Sequence, residues 1–458
     1  MTIPFRISCA ALTLAVGVFS IFPLASRANE ATVIIRGARV LDVAEGRMRE
    51  PCDVVIAGDR IVSVEAASDK DAGLPADVEV LDGRGRYLIP GLMDAHVHLI
   101  HVLDFAHVTA SEILPLFLAA GVTSVRDTGD EVVALMAVVR GAELLPARFP
   151  RIFPCSPLID GDPPIHADIG RAITDPGQVP AFVQDMARWN IRTLKIYAGT
   201  PREIGKLVIE AGHQHQMMVT AHLGPYQAQD AVADGIDCLE HIWSVFNYVI
   251  PEEVKKVPGH RATVDFNQPL AQELIAELAK RQVMVDPTLT VFRNMILLPD
   301  LAEVHHHPDN ATVPERLREF WPRWTQLPNS PLAERRGELG KYRELTGLLH
   351  QAGVPLLAGT DAPEPNVPPG FSLHQELELL VESGLSPAAA LRAATMQNAA
   401  AVQQQAHLGQ ITPGRLADLV LLEKNPLEDI RNTRSIVYVV RGGHVTRPED
   451  LLRLVPTK

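Results

Sequence analysis

The stretch Gly91-Leu92-Met93-Asp94-Ala95-His96-Val97-His98 decides the fold prediction, because it sets two histidines two residues apart at the end of an apolar run. On a β-strand, residues two apart project from the same face. Both imidazoles would then lie side by side, and imidazole is a common ligand for zinc-like ions. Two such histidines can equally be hydrogen-bonded core or surface residues. The pair therefore favours a metal site only if further ligand residues accompany it.

Strand-like and helix-like runs alternate through the middle of the chain, which is the pattern of βα units around a parallel sheet. The strand-like runs end near His98, Asp127, Leu158, Tyr197, His222, His241, Leu289 and Asp361. These are eight runs, the count of a TIM barrel, whose strand ends converge on one face. We therefore predict an α/β fold with a (β/α)8 TIM barrel over residues 86–407.

Both ends of the chain contain short strands separated by turn residues. Near the N-terminus, the run Asp53-Val54-Val55-Ile56-Ala57-Gly58-Asp59-Arg60-Ile61-Val62 predicts a hairpin closed at Gly58-Asp59. Residues 417–422 and 436–443 repeat this pattern near the C-terminus. The two ends predict one small β-sandwich domain, formed by residues 29–85 and 408–458.

The first 28 residues differ from the rest. Arg6 precedes an apolar run over residues 7–24, and Ser26-Arg27-Ala28 offers a small-x-small cleavage site. This pattern predicts a secretory signal peptide over residues 1–28 and a secreted or periplasmic protein. A transmembrane anchor is the alternative. No later stretch approaches the roughly 20 apolar residues that span a bilayer, so no membrane association is expected after cleavage.

Charge and cysteine content narrow the range of partners. The formal net charge is −13, and removal of residues 1–28 would take away Arg6 and Arg27 and give −15. Such a charge argues against a nucleic-acid or anionic-membrane partner and leaves a small-molecule substrate. Cys52, Cys155 and Cys238 would remain, an odd and scattered set that is not a disulfide framework. One disulfide bridge could form among them, and none is required. A homo-oligomer is compatible with these features.

Further ligand-type residues follow the histidine pair at predicted strand ends: Lys195, His222, His241 and Asp361. Each has a structural alternative. Lys195 could extend its ammonium to water or pair with an acid. His222 and His241 could be hydrogen-bonded core histidines, and Asp361 could cap a helix. One shared metal site explains all of them together better than separate structural roles do.

The order His96-x-His98, Lys195, His222, His241, Asp361 resembles the amidohydrolase superfamily, in the branch of imidazolonepropionase-like and prolidase-like enzymes. The most specific matching segments are Pro90-Gly91-Leu92-Met93-Asp94-Ala95-His96-Val97-His98, Gly359-Thr360-Asp361-Ala362-Pro363 and Pro413-Gly414-Arg415-Leu416-Ala417-Asp418-Leu419-Val420. The resemblance covers nearly all of the chain after the signal peptide. It implies a (β/α)8 barrel with a β-sandwich from both termini, and two divalent metal ions, commonly zinc.

The resemblance also implies roles for the residues. His96, His98 and Asp361 would hold one ion, and His222 and His241 the other. A carboxylated Lys195 would bridge the two ions, with a hydroxide between them. Such ions lower the pKa of bound water from about 16 toward 7. Asp361 would then be the catalytic residue, taking the water's proton and returning it to the leaving group.

Two residues are candidates for substrate binding. Tyr197 lies two residues after Lys195 and would face the same way; in prolidase-like relatives a tyrosine there can help to bind a carboxylate, and core packing is the alternative. His166 ends the loop Asp160-Gly161-Asp162-Pro163-Pro164-Ile165-His166 and is either a substrate residue or a plain loop histidine. The interval 291–350 is too long for a barrel connection and predicts a lid. Arg126 and Asp127 are expected to form a buried structural pair.

These observations favour an exported metal-dependent amidohydrolase that cleaves the amide bond of a dipeptide or an N-acyl amino acid. The same metal core could open a cyclic amide, a lactone or a phosphotriester. A catalytically inactive barrel that only binds a ligand is the alternative of another class. A binding protein would have no need of a general base at Asp361, which favours the enzyme.

Overall fold

The computed structural model describes residues 32–68, 78–297, 307–324 and 330–456. The predicted signal peptide, and residues 298–306 and 325–329 of the predicted lid, lie outside the described residues. Within those ranges no helix combines the length and the apolar character needed to cross a bilayer. Cys52, Cys155 and Cys238 are buried there as free thiols.

Strands from both ends of the chain form one mixed sheet. They are β1 (Val33–Asp42), β2 (Arg47–Ala57), β3 (Arg60–Ala66), β4 (Glu79–Asp82), β5 (Tyr87–Pro90), β15 (Leu419–Leu422), β16 (Ile436–Arg441) and β17 (His444–Thr446). Their order is β17-β16-β15-β5-β1-β2-β3, with β4 beside β1. The predicted hairpin turn at Gly58-Asp59 joins β2 to β3, and antiparallel pairing of β15 with β5 connects the two ends of the chain.

The middle of the chain contributes parallel strands. The first sheet holds β6 (Leu92–Val97), β7 (Val122–Asp127) and β8 (Arg151–Pro154); the second holds β9 (Leu158–Asp160), β10 (Gly170–Ala172), β11 (Thr193–Ile196), β12 (Met218–Ala221), β13 (Cys238–Glu240) and β14 (Met284–Asp286). Isolated parallel bridges join Cys155 to Thr193, Val285 to Leu356 and Val97 to Ala362. The result is an α/β fold of the TIM-barrel type.

Helices follow most of these strands. They are α1 (His101–Ala106), α2 (Ala110–Ala119), α3 (Val132–Leu144), α4 (Val179–Arg188), α5 (Arg202–Gln214), α6 (Ala228–Asp234), α7 (His241–Phe246), α8 (Pro269–Arg281), α9 (Leu289–Leu297), α10 (Glu315–Trp324), α11 (Leu332–Gln351), α12 (Phe371–Glu382), α13 (Pro387–Arg392), α14 (Asn398–Ala401) and α15 (Pro448–Leu452). A π-helical turn, Ala393–Gln397, links α13 to α14. The end of the seventh predicted strand, near Leu289, lies too far along the chain. In the structure β14 ends at Asp286, and Leu289 is the first residue of α9.

Apolar periodicity explains how the helices pack. In α5, Ile204 and Val208 stand one turn apart and are buried against the strands, while Glu203 and Lys206 face solvent. The strands themselves are buried on both faces, as in β6 and β7, where every residue is buried. Polar side chains on such strands must find partners inside the protein, since an unpaired buried charge costs several kcal/mol.

Candidate metal centre

The carboxyl ends of the parallel strands surround one cavity of about 60 Å³. Every predicted site residue lines it: His96, His98, His166, Lys195, Tyr197, His222, His241 and Asp361. His96 and Lys195 belong to β6 and β11, whereas His222 and His241 directly follow β12 and β13. The structure therefore brings together all of the residues that the sequence singled out, although they lie up to 265 positions apart.

Three histidine nitrogens face the carboxylate of Asp361. Its Oδ1 lies 3.4 Å from His96 Nε2 and 3.5 Å from His98 Nε2, and its Oδ2 lies 4.0 Å from His241 Nε2. The ring of His222 packs against that of His241, with the centroids 4.6 Å apart. Asp361 does not cap the next helix, α12, whose N-cap residue is Gly370. Among the described residues, His96, His241 and Asp361 form one of the groups that could hold a metal ion.

The opposite ring nitrogens of these histidines are held by the protein. His96 Nδ1 lies 2.9 Å from Glu240 Oε2, His98 Nδ1 donates to the carbonyl oxygen of Gly129 at 3.1 Å, and His241 Nδ1 lies 2.7 Å from Thr288 Oγ1. A hydrogen bond donated by Nδ1 selects the tautomer whose Nε2 carries the free lone pair. Metal-binding histidines are oriented in this way, and here the three Nε2 atoms lie within 4.0 Å of the Asp361 carboxylate.

The electrostatic environment keeps the imidazoles neutral. Burial lowers the pKa of His222 to about 3, and the charge of Lys195 contributes in the same direction. Burial also lowers the pKa of His96, and it holds the pKa of His98 and of His241 well below the usual range. Neutral imidazole is the form that binds a metal ion. The donor set thus fits divalent cations.

Lys195 is a buried polar group without a hydrogen-bond partner at this site. Its side chain is 1% exposed, and within the described residues its Nζ has no hydrogen-bond partner. Burial lowers the pKa of the amine. The side chain therefore does not extend its ammonium to water, and in the described residues no acid lies within ion-pair distance of it. An amine left in this position fits a lysine whose nitrogen takes part in metal binding.

A buried network behind His96 was missed in the sequence. Glu240 accepts from Arg126 Nη2 at 2.6 Å and from the hydroxyl of Thr220, while Arg126 Nε donates to the carbonyl oxygen of Ala95 at 2.6 Å. Burial alone would raise the pKa of Glu240, but the charge of Arg126, followed by that of Lys195, holds it well below its usual range. Glu240 directly precedes the predicted ligand His241, and this position in the sequence was the signal that could have identified it.

The expected pair of Arg126 and Asp127 is wrong. Arg126 binds Glu240, whereas the carboxylate of Asp127 accepts from the backbone nitrogens of Leu99 at 3.0 Å and Gly129 at 3.2 Å. The reason is the pleat of β7, on which successive side chains point to opposite faces. Neighbours in sequence on a strand therefore seldom pair with each other.

Backbone strain is concentrated at the same site. His241, Thr288 and Asp361 adopt left-handed conformations, with φ angles of 63°, 46° and 65°. Each such conformation costs roughly 1–2 kcal/mol in a residue other than glycine. Residues held in this way cluster at functional sites, where the fold compensates for the strain. The strain supports a functional role for the backbone positions of His241 and Asp361.

The rim of the cavity carries further polar groups. His166 Nε2 lies 3.1 Å from the hydroxyl of Tyr197, and His101 Nδ1 lies 2.5 Å from Asp168 Oδ2. His101 and Glu364 also line the cavity, and the sequence analysis did not identify either. His101 stands three residues after His98, and Glu364 stands three after Asp361. A search for polar residues shortly after each predicted ligand could have found both.

The chain is similar in sequence to enzymes of known activity. Adenine deaminase 2 from Rhizobium johnstonii is 26% identical over 426 residues, which are 90% of this chain and 56% of that protein. Ochratoxinase from Aspergillus niger is 33% identical over 132 residues, 28% of this chain and 24% of that enzyme. The chain thus spans from about a quarter to just over half of the length of these curated relatives.

Solved structures are similar over most of the chain. A Xaa-Pro dipeptidase with methionine bound in its active site superposes with a TM-score of 0.68 at 19% identity, covering 91% of this chain and 99% of the other. Ochratoxinase of A. niger superposes with a TM-score of 0.64 at 19% identity, covering 92% of this chain and 96% of the other. At these identities the likeness concerns the fold. The model of the amidohydrolase family matches residues 87–446, most of the sequence. The chain therefore belongs to the amidohydrolase family.

Proposed function

We propose that this protein is an exported metal-dependent amidohydrolase that cleaves the amide bond of a dipeptide or an N-acyl amino acid. The observation that carries the proposal is the convergence of His96, His98, Lys195, His222, His241 and Asp361 on one cavity. The family is generally metal-dependent. The similar structures include a Xaa-Pro dipeptidase, which supports an amide substrate with a carboxylate end.

The nitrogen and oxygen donors at this site suit two divalent metal ions, and zinc is the metal that we expect. His96, His98 and Asp361 would hold one ion, His222 and His241 the other, and a carboxylated Lys195 would bridge them. Ions bound there would supply Lewis acidity and would make water a nucleophile at neutral pH. Imidazole and carboxylate ligands of this kind are typical of zinc hydrolases.

Asp361 is proposed as the proton carrier. Its carboxylate faces the cavity beside His96 and His98 and can accept the proton of the attacking water. An amide nitrogen leaves readily only when it is protonated, so the same proton must then be delivered to the leaving amine. One carboxylate at this position can make both transfers.

Tyr197 and His166 are proposed to bind the carboxylate of the substrate. The Tyr197 hydroxyl and His166 Nε2 lie 3.1 Å apart and both line the cavity. Burial raises the pKa of Tyr197, as do the charges of Asp361 and Glu364, so its hydroxyl stays protonated and can donate a hydrogen bond. When His166 Nε2–H donates to the Tyr197 oxygen, the hydroxyl proton remains available to donate to a carboxylate oxygen.

The proposal includes three structural expectations. The first is a closed (β/α)8 barrel over residues 86–407, supported by the bridges between its sheets. The second is a β-sandwich formed by residues 29–85 and 408–458, supported by the sheet in which β5, just after residue 85, joins the strands of the two ends. The third, a signal peptide over residues 1–28 and a secreted or periplasmic location, rests on the sequence alone.

A hydrolysis screen on metal-quantified protein tests the function. We expect close to two divalent ions per chain by elemental analysis, together with turnover of dipeptides or N-acyl amino acids. One ion or none after reconstitution with zinc would overturn the binuclear site. Turnover confined to lactones or phosphotriesters would replace the amide substrate, and the absence of any turnover would favour a ligand-binding barrel.

Helix α10 is expected to set substrate choice. Trp321 on this helix is 2% exposed, donates from Nε1 to the carbonyl oxygen of Pro363 at 3.0 Å, and lines an apolar pocket beside His98 and Glu364. In Trp321→Ala we expect the ratio of kcat/KM between dipeptides with large and small side chains to change about tenfold, as is usual when an apolar pocket changes size. Metal content should stay the same.

The matched control for this variant is Trp189→Ala, at the end of α4 and outside the residues that line the cavity. The control should leave the substrate profile unchanged. An equal profile in Trp321→Ala and in the unmodified protein would show that α10 has no part in specificity.

A further inference from the structure

Glu364 occupies a junction between two parts of the site. It stands in a turn in which its backbone nitrogen donates to the carbonyl oxygen of Asp361 at 3.0 Å and its own carbonyl oxygen accepts from Val367 at 2.8 Å. The residue lines the cavity of the predicted metal ligands and also the apolar pocket beneath α10. His98, His101 and Glu364 are the residues that line both spaces, so a substrate group placed between them lies beside Glu364.

Among the residues that the structure describes, the carboxylate of Glu364 has no partner of opposite charge. In the part of the chain that the structure describes, its side chain makes no hydrogen bond and no ion pair. The side chains of Leu317, Trp321 and Pro363 line the pocket with it, as do those of His98 and His101. Glu364 is partly exposed to these spaces, and a carboxylate that makes no ion pair with the protein there can pair with a cationic group of a bound molecule.

A cationic group of the substrate is the partner that fits. On the proposed function, the substrate is either a dipeptide, with an ammonium at its acyl end, or an N-acyl amino acid, which lacks that charge. An ammonium near bound dications is repelled by them, and a carboxylate at this point offsets the repulsion. An N-acyl group would leave Glu364 without a partner.

The geometry points to Glu364 as the residue that binds the free α-ammonium of the substrate, which makes dipeptides with a free amino end the substrate class. This inference rests on the proposed function and deepens it. Tyr197 and His166 would take the carboxylate end in the same cavity. The enzyme then recognises a zwitterion by both of its charges.

A pair of substrates that differ only in the ammonium group tests this inference. The pair is alanyl-phenylalanine and N-propionyl-phenylalanine, compared by kcat/KM on the metal-loaded full chain. We expect a preference of about 10- to 100-fold for the dipeptide, the usual worth of a hydrogen bond to a charged group. Glu364→Gln should bring the ratio close to one, mainly through loss of the dipeptide reaction. Glu364→Asp keeps the charge and should retain part of the preference.

Calorimetry provides a second measurement that does not depend on turnover. The probes are the two ketomethylene analogues of these substrates, in which a methylene replaces the amide nitrogen so that they cannot be cleaved. The amino form should bind about 10- to 100-fold more tightly to the unmodified protein. Glu203→Gln, on the exposed face of α5, is the control for loss of one negative charge and should keep the ratio.

The outcomes separate this inference from the proposed function. If neither peptide is cleaved, the amide hydrolase fails, and the calorimetric ratio still decides the role of Glu364. A preference for the amino form below about threefold in the unmodified protein would overturn the inference. So would a preference that survives in Glu364→Gln. In that case Glu364 would only support the turn after Asp361.

Discussion

Replacing Asp361 with asparagine is expected to lower kcat by about 10²- to 10⁴-fold, the usual contribution of a positioned acid or base. The carboxylate oxygens of Asp361 lie 3.4 Å from His96 Nε2 and 3.5 Å from His98 Nε2, and its side chain lines the cavity. An amide of the same shape can occupy this position but cannot accept a proton from water. Steady-state kinetics on the best substrate of the screen measure the loss.

Elemental analysis and circular dichroism should accompany these kinetics, because Asp361 is also a proposed ligand. The amide oxygen of asparagine can still bind a cation, so we expect the variant to stay folded and to retain most of its metal. Asp185→Asn, on the exposed side of α4, is the control and should keep full activity. A kcat near that of the unmodified protein in Asp361→Asn would remove Asp361 as the base.

Lys195→Ala is expected to lose most of the bound metal and nearly all activity. A lysine ammonium beside two dications would be strongly repelled. The amine of Lys195 is buried, and burial lowers its pKa, which favours the neutral and nucleophilic form. Attack of this nitrogen on carbon dioxide forms a carbon–nitrogen bond, releases one proton and yields an anionic carbamate. Its two oxygens could each bind one ion.

Two measurements check the carbamate. High-resolution density of the metal-loaded protein should show three additional atoms on Lys195 Nζ. Short carboxylic acids such as acetate should partly restore metal content and turnover to Lys195→Ala, because they can supply a carboxylate in the space that the side chain leaves. Lys206→Ala, on the exposed face of α5, should behave as the unmodified protein. An unmodified amine in the loaded enzyme, or a fully active alanine variant, would exclude the bridge.

The position of each proposed ligand could be predicted because it depends on local pattern. Parallel strands alternate their side chains with a period of two, and their carboxyl ends share one face of the sheet. His96 and His98 follow from that spacing, as does Tyr197 beside Lys195. The hairpin at Gly58-Asp59 and the pairing of strands from both ends were equally readable, because turn residues and apolar runs mark them.

Tertiary structure alone decided which polar groups meet across the barrel. The bonds from Glu240 to His96 and to Arg126 join residues 144 and 114 positions apart, and no periodicity specifies such a pair. Glu364 became notable only when its apolar neighbours on α10 were known. The sequence by itself determined which residues reach the site, because spacing along a strand sets the direction of a side chain. Their partners follow from packing between distant segments, which local patterns do not encode.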